Sequence, residues 1–381
     1  MATQTLSPLG ILEAACTDPY AEAQKARAKG QKVAGITCSY TPQELFHAAG
    51  YLPVRIMAHQ GGTPRADEII QSYACSFARS VLDRALSGAF DFADLVVFAH
   101  TCDTMQNLAD LWKGNRPQQA LLIVSGPTLI EGEPARTYYR KEMDRVRVRL
   151  EEIVGPIPDA AIADSIRLYA QQRALMQRLY AIRRLRPELL SAADMHNAVT
   201  AAFLMPVEEH LQALRGLVEE LEGDNIEDSA TLPRVLVAGS VCQDRGFSEA
   251  IEEAGCLLVD DDLCMGSRAF ELPDASGDDP MDALVQIYLT RTPCPAFHRP
   301  GFDPGAHLLE RVRRAKADGV VYLLTKFCDP WAFDYPHMKN TLESEGIPTL
   351  LLEVEQNLPV PAQLRTRIEA FAEMLESKAG Q

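Results

Sequence analysis

The chain has 381 residues, which is enough for two or three domains with sizeable hydrophobic cores. Hydrophobic residues make up 47% of it and charged residues 24%, a composition typical of a globular protein. The formal net charge of -16 argues against an extended surface that binds phosphate, so we expect no nucleic-acid partner.

The sequence also argues against membrane insertion and secretion. No apolar stretch reaches the roughly eighteen residues of a membrane span. The N-terminus lacks a basic segment followed by an apolar one, so no signal peptide is evident and we expect a cytoplasmic protein without membrane contact. In the cytoplasm, nine cysteines favour metal binding or redox chemistry over a disulfide framework.

The first part of the chain predicts a helical lead-in (1–30) followed by an α/β domain (31–133). Apolar runs at 33–38, 52–57, 94–101 and 120–125 predict strands that alternate with helices. Thr41 is predicted to cap the next helix, with Pro42 in the first turn and Glu44 completing a capping box.

The middle of the chain, residues 134–230, is predicted to be a helical segment with long helices at 138–153, 161–184 and 198–221. Its basic cluster, Arg183, Arg184 and Arg186, is typical of the solvated face of a helix, and contact with an acidic partner or a nucleotide-like substrate is the alternative.

The last part, residues 231–381, repeats the α/β pattern with predicted strands at 235–240, 256–260, 320–325 and 349–354. The fold class is therefore predicted as α/β. We expect two similar doubly wound parallel-sheet domains, Rossmann-like or flavodoxin-like, joined by a helical segment.

Four cysteines stand at predicted strand ends, where ligands bind in open α/β sheets. Cysteine thiolates gathered from separate loops suit an iron–sulfur cluster, and the absence of any CxxC pair disfavours a zinc ribbon. Any single cysteine is as often a buried structural thiol. The candidate ligands, in order of preference, are Cys75, Cys102, Cys328, Cys38, Cys264, and then Cys242 and Cys294.

Three polar residues beside these cysteines are candidate catalytic groups. His100 is a candidate proton donor, although a histidine at a strand end is more often structural. Asp103 follows a cysteine and suits either chemistry or helix capping. Lys326 is placed to offset the negative charge of a thiolate-bound cluster. The chain has no GxxxxGK[ST] or GxGxxG motif, so ATP hydrolysis or hydride transfer is expected to occur elsewhere.

Five stretches in this order resemble the 2-hydroxyacyl-CoA dehydratase / benzoyl-CoA reductase family, and the resemblance spans almost the whole chain. They are CSYTPQEL, ACSFAR, DDLCMGSR, FCDP and QLRTRIEAF, at residues 38–45, 74–79, 261–268, 327–330 and 363–371. Within the family, the chain's size, acidity and cysteine surplus most resemble the C-type subunit of ATP-dependent benzoyl-CoA reductases.

The resemblance implies an iron–sulfur subunit that receives low-potential electrons from a separate ATP-hydrolysing iron–sulfur activator. By resemblance, Cys75, Cys102 and Cys328 match three thiolates that hold a [4Fe-4S] cluster with one open iron. Cys38, Cys264 and either Cys294 or Cys242 would complete the set for a double-cubane [8Fe-9S] cluster. The implied partners are a homologous catalytic subunit and an acyl-CoA substrate.

Three other functions compete with one-electron reduction of an aryl-CoA to a dienoyl-CoA. The first is a subunit of an (R)-2-hydroxyacyl-CoA dehydratase, and the second is a double-cubane reductase acting on small molecules. The third is a non-enzymatic ligand-binding protein whose cysteines are structural.

Overall fold

The computed structural model describes residues 6–223, 232–275, 277–356 and 358–379. The predicted domain boundary between residues 230 and 231 and the first five residues of the lead-in lie outside the described residues. The other domain boundaries stay predictions.

Eight strands form in the described residues, each within a few residues of an apolar run that predicts it. They are β1 (Lys32–Ile36), β2 (Tyr51–Arg55), β3 (Leu95–His100), β4 (Ala120–Ser125), β5 (Arg234–Gly239), β6 (Leu257–Asp262), β7 (Gly319–Thr325) and β8 (Thr349–Val354).

Sixteen α-helices and one short 3-10 turn, Pro187–Leu189, connect or extend these strands in the described residues. The helices of the first half and of the middle segment are α1 (Pro8–Thr17), α2 (Ala21–Ala28), α3 (Gln43–Ala48), α4 (Pro64–Asp67), α5 (Ser76–Leu86), α6 (Asp103–Asn115), α7 (Glu133–Val154), α8 (Asp159–Leu185), α9 (Ala192–Ala201) and α10 (Val207–Gly223). The helices of the second half are α11 (Gly246–Glu253), α12 (Ser267–Phe270), α13 (Pro280–Thr290), α14 (Pro304–Ala315), α15 (Asp329–Ser344) and α16 (Ala362–Ala379).

The strands form two four-stranded parallel sheets with the same topology, in the orders β2-β1-β3-β4 and β6-β5-β7-β8. In each sheet the strand order changes direction between the two central strands, which are β1 and β3 in the first sheet and β5 and β7 in the second. In such sheets the crevice at the carboxyl ends of these two strands is the preferred place for a ligand. The predicted fold class, two similar doubly wound α/β sheets, is confirmed.

Helices cover both faces of each sheet, which explains why the strands are apolar on both sides. On one face of the first sheet, Val33 and Val96 pack in a core shared with α5, α6 and α10. On its other face, Ala34 and Val97 pack against α3, α7, α8 and α13. Two further cores flank the second sheet, with α11 and α16 on one side and α14 and α15 on the other.

The long helix α8 joins the two halves, because it contacts α3 beside the first sheet and both α12 and β6 in the second half. Gly239 ends β5 with a φ of +139°, and a Cβ atom there would collide with the carbonyl oxygen of Leu323 on β7. Glycine therefore permits the close approach of β5 and β7 at the end of the sheet where the two halves meet.

The predicted capping box at Thr41 is wrong. Helix α3 begins at Gln43, and the Thr41 hydroxyl is buried without a hydrogen-bond partner among the described residues. Glu44 instead forms a buried ion pair with Arg173 at 2.9 Å, and its other oxygen accepts a hydrogen bond from the Tyr288 hydroxyl at 2.9 Å. These distant partners draw the carboxylate away from the helix N-terminus.

One predicted helix is divided by a proline. The predicted helix 198–221 is two helices, α9 and α10, since Pro206 lies between them and cannot donate the backbone hydrogen bond of a continuous helix.

The prediction of a solvated basic face at Arg183 is wrong. The Arg183 side chain is buried and donates hydrogen bonds to the Leu258 carbonyl oxygen and the Glu252 carboxylate, both at 2.5 Å. Arg184 reaches Asp260 at 3.3 Å. The cluster therefore connects α8 to the second half of the chain, an arrangement that periodicity does not reveal.

Across the described stretches, none of the helices combines the length and apolar character that a membrane crossing requires.

Candidate functional site

A cavity opens where the carboxyl ends of the two sheets face each other, and it encloses about 890 Å³ of space, partly open to solvent. Its wall includes Thr37 after β1, Thr101 after β3, Ser240 after β5 and Thr325 at the end of β7. The walls therefore combine the switch-point crevices of both sheets. Six cysteines line this cavity, and we call it the cysteine cavity: Cys38, Cys75, Cys102, Cys264, Cys294 and Cys328.

Three of these residues, which we call the helix-capping cysteines, are the N-caps of helices: Cys75 of α5, Cys102 of α6 and Cys328 of α15. Helix N-termini present unpaired backbone N–H groups and a partial positive charge, which stabilise a thiolate. The backbone N–H groups of Ala78 and Phe77, in the first turn of α5, lower the pKa of the Cys75 thiol in this way.

Burial opposes ionisation of the helix-capping cysteines in the metal-free chain. Burial raises the pKa of Cys75 to about 11, although the nearby backbone N–H groups of α5 lower it. It also raises the pKa of Cys102 and of Cys328. At neutral pH these thiols therefore keep their protons, and any metal bound by them would have to displace those protons.

A left-handed residue fixes the position of Cys328. The Cys328 N–H donates to the Thr325 carbonyl oxygen at 2.9 Å, which closes a tight turn directly after β7. Phe327, the third residue of that turn, has a φ of +63°, a conformation that few non-glycine residues adopt. The turn redirects the chain from the strand into α15 and brings Cys328 to the cavity.

The other three residues, Cys38, Cys264 and Cys294, we call the arginine-side cysteines, because Arg55, Arg268 and Arg291 line the same part of the cavity. Burial raises the pKa of Cys264 to about 11, against the influence of the three arginines. Burial also raises the pKa of Cys294.

Direct hydrogen bonds hold the two halves of the chain together around the cavity. The Ser39 hydroxyl donates to the Cys264 carbonyl oxygen at 3.0 Å, and the Cys294 N–H donates to the Tyr40 hydroxyl at 2.9 Å. The Gln356 N–H donates to the Ser76 hydroxyl at 2.8 Å. The cysteines of the first half are thereby kept in register with those of the second.

The donor set suits a polynuclear cluster better than a single metal ion. Among the described residues, no three His, Cys, Asp or Glu side chains converge closely enough to hold one ion. Six free cysteines instead surround a shared space. Soft sulfur donors spread around a cavity match a cluster whose iron atoms each take a separate thiolate.

The three predicted catalytic residues do not line the cysteine cavity. His100 is exposed at the end of β3, and Asp103 is exposed in the first turn of α6, one residue beyond the capping cysteine. Lys326 donates to Glu355 at 3.0 Å, and its side chain is 46% exposed. Each lies next to a cavity residue in sequence, but its side chain leaves the backbone in another direction. Their catalytic role stays a prediction.

The remaining cysteines lie elsewhere. Cys242 is buried in the core beside the second sheet, so Cys294, and not Cys242, accompanies the other five at the cavity. Cys256 belongs to the same core. The Cys16 thiol donates to the Asn197 carbonyl oxygen at 3.4 Å. Neither Cys16 nor Cys256 is a candidate ligand by sequence, and neither lines the cysteine cavity.

Sequence reasoning missed the three arginines that complete the wall. Arg55 ends an apolar strand, and a charged residue at the end of a buried strand is the signal that identifies it. Arg268 stacks over the Trp331 ring, with its guanidinium carbon 4.8 Å from the ring centroid. Arg291 follows the last residue of α13, and nothing in the local sequence distinguishes it from a surface arginine.

Residues 38–375 match the family described as 2-hydroxyglutaryl-CoA dehydratase, D-component. The chain belongs to this family. The matched range contains every cysteine of the cavity. The resemblance noted in the sequence is therefore confirmed.

Relatives of known name align over nearly the whole chain. The C subunit of the benzoyl-CoA reductase of Thauera aromatica is 30% identical over 359 residues, 91% of this chain and 91% of the relative. The beta subunit of the lactoyl-CoA dehydratase of Anaerotignum propionicum is 29% identical over 349 residues, 91% of this chain and 92% of the relative. The beta subunit of the (R)-2-hydroxyglutaryl-CoA dehydratase of Acidaminococcus fermentans is 26% identical, with coverages of 92% and 94%. The chain is thus a relative of enzyme subunits that are named for dehydration or for reduction.

Proposed function

We propose that the chain is the iron–sulfur subunit of a low-potential reductase of the benzoyl-CoA reductase type. The observation that carries the proposal is the set of six free cysteines around one cavity at the ligand-binding ends of both sheets. When bound, an iron–sulfur cluster supplies single electrons at low potential. Reduction of an aryl-CoA to a dienoyl-CoA requires two such electrons and two protons.

The chain's own residues bind the cluster and keep water from it. The helix-capping cysteines would hold one set of iron atoms, with helix N-termini favouring the thiolate form. The arginine-side cysteines would hold a second set, which favours a double-cubane [8Fe-9S] cluster over a single [4Fe-4S] cluster. Trp331, whose ring is buried, closes the wall of the cavity and excludes solvent.

The electrons and the substrate would come from other molecules. Relatives of the chain are named as subunits, which supports assembly with a homologous catalytic subunit. A separate ATP-hydrolysing iron–sulfur activator would supply the electrons, and an acyl-CoA would be the substrate at the subunit pair.

A subunit of an (R)-2-hydroxyacyl-CoA dehydratase is the second candidate. Relatives whose names specify a lactoyl-CoA or a 2-hydroxyglutaryl-CoA dehydratase support it. Dehydration returns its electron after each turnover and has no net electron demand, whereas the reductase consumes two electrons for each product. A double-cubane reductase that acts on small molecules is the third candidate, and it needs no CoA thioester.

Product analysis separates these functions. The complex, purified anaerobically with its native partner subunit and its ATP-hydrolysing activator, is supplied with MgATP, with titanium(III) citrate as the electron source, and with either benzoyl-CoA or a 2-hydroxyacyl-CoA. We expect a dienoyl-CoA and consumption of about two reducing equivalents for each product. Formation of an enoyl-CoA without net consumption of reductant would instead identify the dehydratase. Turnover of neither thioester would leave the small-molecule reductase and contradict the proposal.

A further inference from the structure

Three arginines line the cysteine cavity, and each is at most 4% exposed: Arg55, Arg268 and Arg291. Only Arg268 is neutralised by a carboxylate, because its Nε and Nη2 each donate to an oxygen of Asp262 at 2.7 Å. For Arg55 and Arg291, no carboxylate lies within ion-pair distance in the part of the chain that is described.

The Arg55 guanidinium is nearly without hydrogen-bond partners. The residue ends β2, and its backbone N–H donates to the Phe203 carbonyl oxygen. The side chain has one long contact, from Nη1 to the Ser39 hydroxyl at 3.5 Å, and its buried Nε has no partner in the described residues. The guanidinium is therefore a buried cation with little hydrogen-bond compensation among the described residues.

Arg291 is better packed but equally uncompensated in charge. Its Nη1 donates to the Ser39 carbonyl oxygen at 2.6 Å, and its guanidinium carbon lies 4.2 Å from the centroid of the Tyr40 ring. Its Nε is buried without a partner among the described residues. Neutral carbonyl oxygens and aromatic rings orient this cation, but they leave its net charge in place.

Burying a cation without an anion costs several kcal/mol, a cost that a fold tolerates only when something else offsets it. Both arginines contact Ser39, which follows Cys38 in the chain, and the Ser39 hydroxyl in turn donates to the Cys264 carbonyl oxygen. Whereas the helix N-termini lie beside the helix-capping cysteines, the two cations without carboxylate partners thus lie beside the arginine-side cysteines. Positive charge is supplied there by guanidinium groups instead of by helix ends.

We propose that Arg55 and Arg291 are positioning residues that counter the negative charge of a cluster bound by the arginine-side cysteines and thereby raise its reduction potential. This inference rests on the proposed function. Reduction adds one negative charge to the cluster. A buried guanidinium without a carboxylate partner therefore stabilises the reduced cluster more than the oxidised one. Arg268 contributes less, because Asp262 already neutralises it.

The test compares wild type with Arg55→Met, which removes the charge with little change in length, and with Arg55→Lys, which retains it. The midpoint potential of the anaerobically loaded protein is measured by a redox titration followed by electron paramagnetic resonance. We expect Arg55→Met to lower the midpoint by at least about 59 mV, a tenfold change in a one-electron equilibrium. We expect Arg55→Lys to stay close to wild type.

A second measurement separates this role from a packing role. Denaturation of the metal-free chain is expected to show Arg55→Met as stable as wild type or more stable, because the variant removes an uncompensated buried charge. Arg149→Met, which removes an exposed cation whose partner Glu152 is also exposed, is the control and is expected to leave the midpoint unchanged.

Three results would overturn the inference. An unchanged midpoint in Arg55→Met would show that the charge does not act on the cluster. If the metal-free Arg55→Met chain is less stable than wild type, the side chain has a packing role. Equal loss of iron in Arg55→Met and Arg55→Lys would lead to the same conclusion. Wild-type protein that binds no iron would overturn the proposed function itself. Iron is therefore measured on wild type before any variant is compared.

Discussion

Cys75→Ser is expected to lose about half of the iron that wild type retains after anaerobic purification, because the helix-capping cysteines hold one of the two sets of iron atoms. Cys75 caps α5, and its sulfur faces both the cavity and the N–H groups of the first helical turn. A serine hydroxyl keeps the cap but is a far poorer ligand for iron than a thiolate. Iron is measured per chain, and the same loss is expected for Cys102→Ser and Cys328→Ser.

Cys16→Ser is the matched control, because Cys16 is partly buried outside the cysteine cavity and serine can keep its hydrogen bond to the Asn197 carbonyl oxygen. It is expected to retain the iron of wild type.

Cys264→Ser is expected to remove about half of the iron if the cluster is a double cubane. Retention of all iron by Cys75→Ser would contradict the assignment of the helix-capping cysteines.

Arg268→Met is expected to destabilise the metal-free chain by about 3 kcal/mol, the lower end of the cost of breaking a buried ion pair. The variant leaves Asp262, which is fully buried, without its bidentate partner. His307 at 3.4 Å and Arg311 at 3.8 Å still approach the carboxylate, so the expected loss of stability is at the lower end of the range. The free energy of unfolding is measured by urea denaturation.

The pH dependence of this effect has a definite sign. Burial by itself would raise the pKa of Asp262, but Arg268 and its other cationic neighbours hold it well below 3.8. A carboxylate with a depressed pKa in the folded state stabilises the protein above its unfolded pKa and loses that contribution as the pH falls. The difference between wild type and Arg268→Met is therefore expected to narrow below about pH 4.

Arg149→Met serves as the control here too, since both side chains of the exposed pair Arg149–Glu152 are more than half exposed. A change within about 0.5 kcal/mol is expected for this variant. An equally small change for Arg268→Met would contradict the view that the buried pair with Asp262 supports the wall of the cavity.

The sheets could be predicted from the sequence because strands that are buried on both faces are uninterrupted apolar runs. The predicted bounds of β4 and β8 coincide with the observed ones, at Ala120–Ser125 and Thr349–Val354. The switch-point edge follows from the strand order, and the cysteines that come after β1, β3 and β7 meet there. Bringing these three cysteines together therefore required no knowledge of tertiary contacts, whereas Cys242, which follows β5 and is the fourth strand-end cysteine of the prediction, lies in the core.

The residues that sequence reasoning missed depend on partners far away in the chain. Glu44 pairs with Arg173, 129 positions away, and not with the neighbouring helix end. Arg183 is buried by contacts with β6 and Glu252. Arg55 differs from an ordinary arginine at a strand end because it has no carboxylate partner among the described residues. The tertiary structure is needed to see whether a charged side chain is buried and whether an opposite charge neutralises it, because both depend on segments that are distant in the sequence.

Iron and acid-labile sulfide per chain, measured on anaerobically purified protein, test the cluster assignment most directly. About eight iron atoms per chain are expected, reduced by Cys38→Ser and Cys264→Ser. About four, reduced only by replacing the helix-capping cysteines, would indicate a single [4Fe-4S] cluster and favour a dehydratase-type site. No iron or sulfide in protein kept reduced throughout would contradict the assignment of an iron–sulfur cluster to the cysteine cavity.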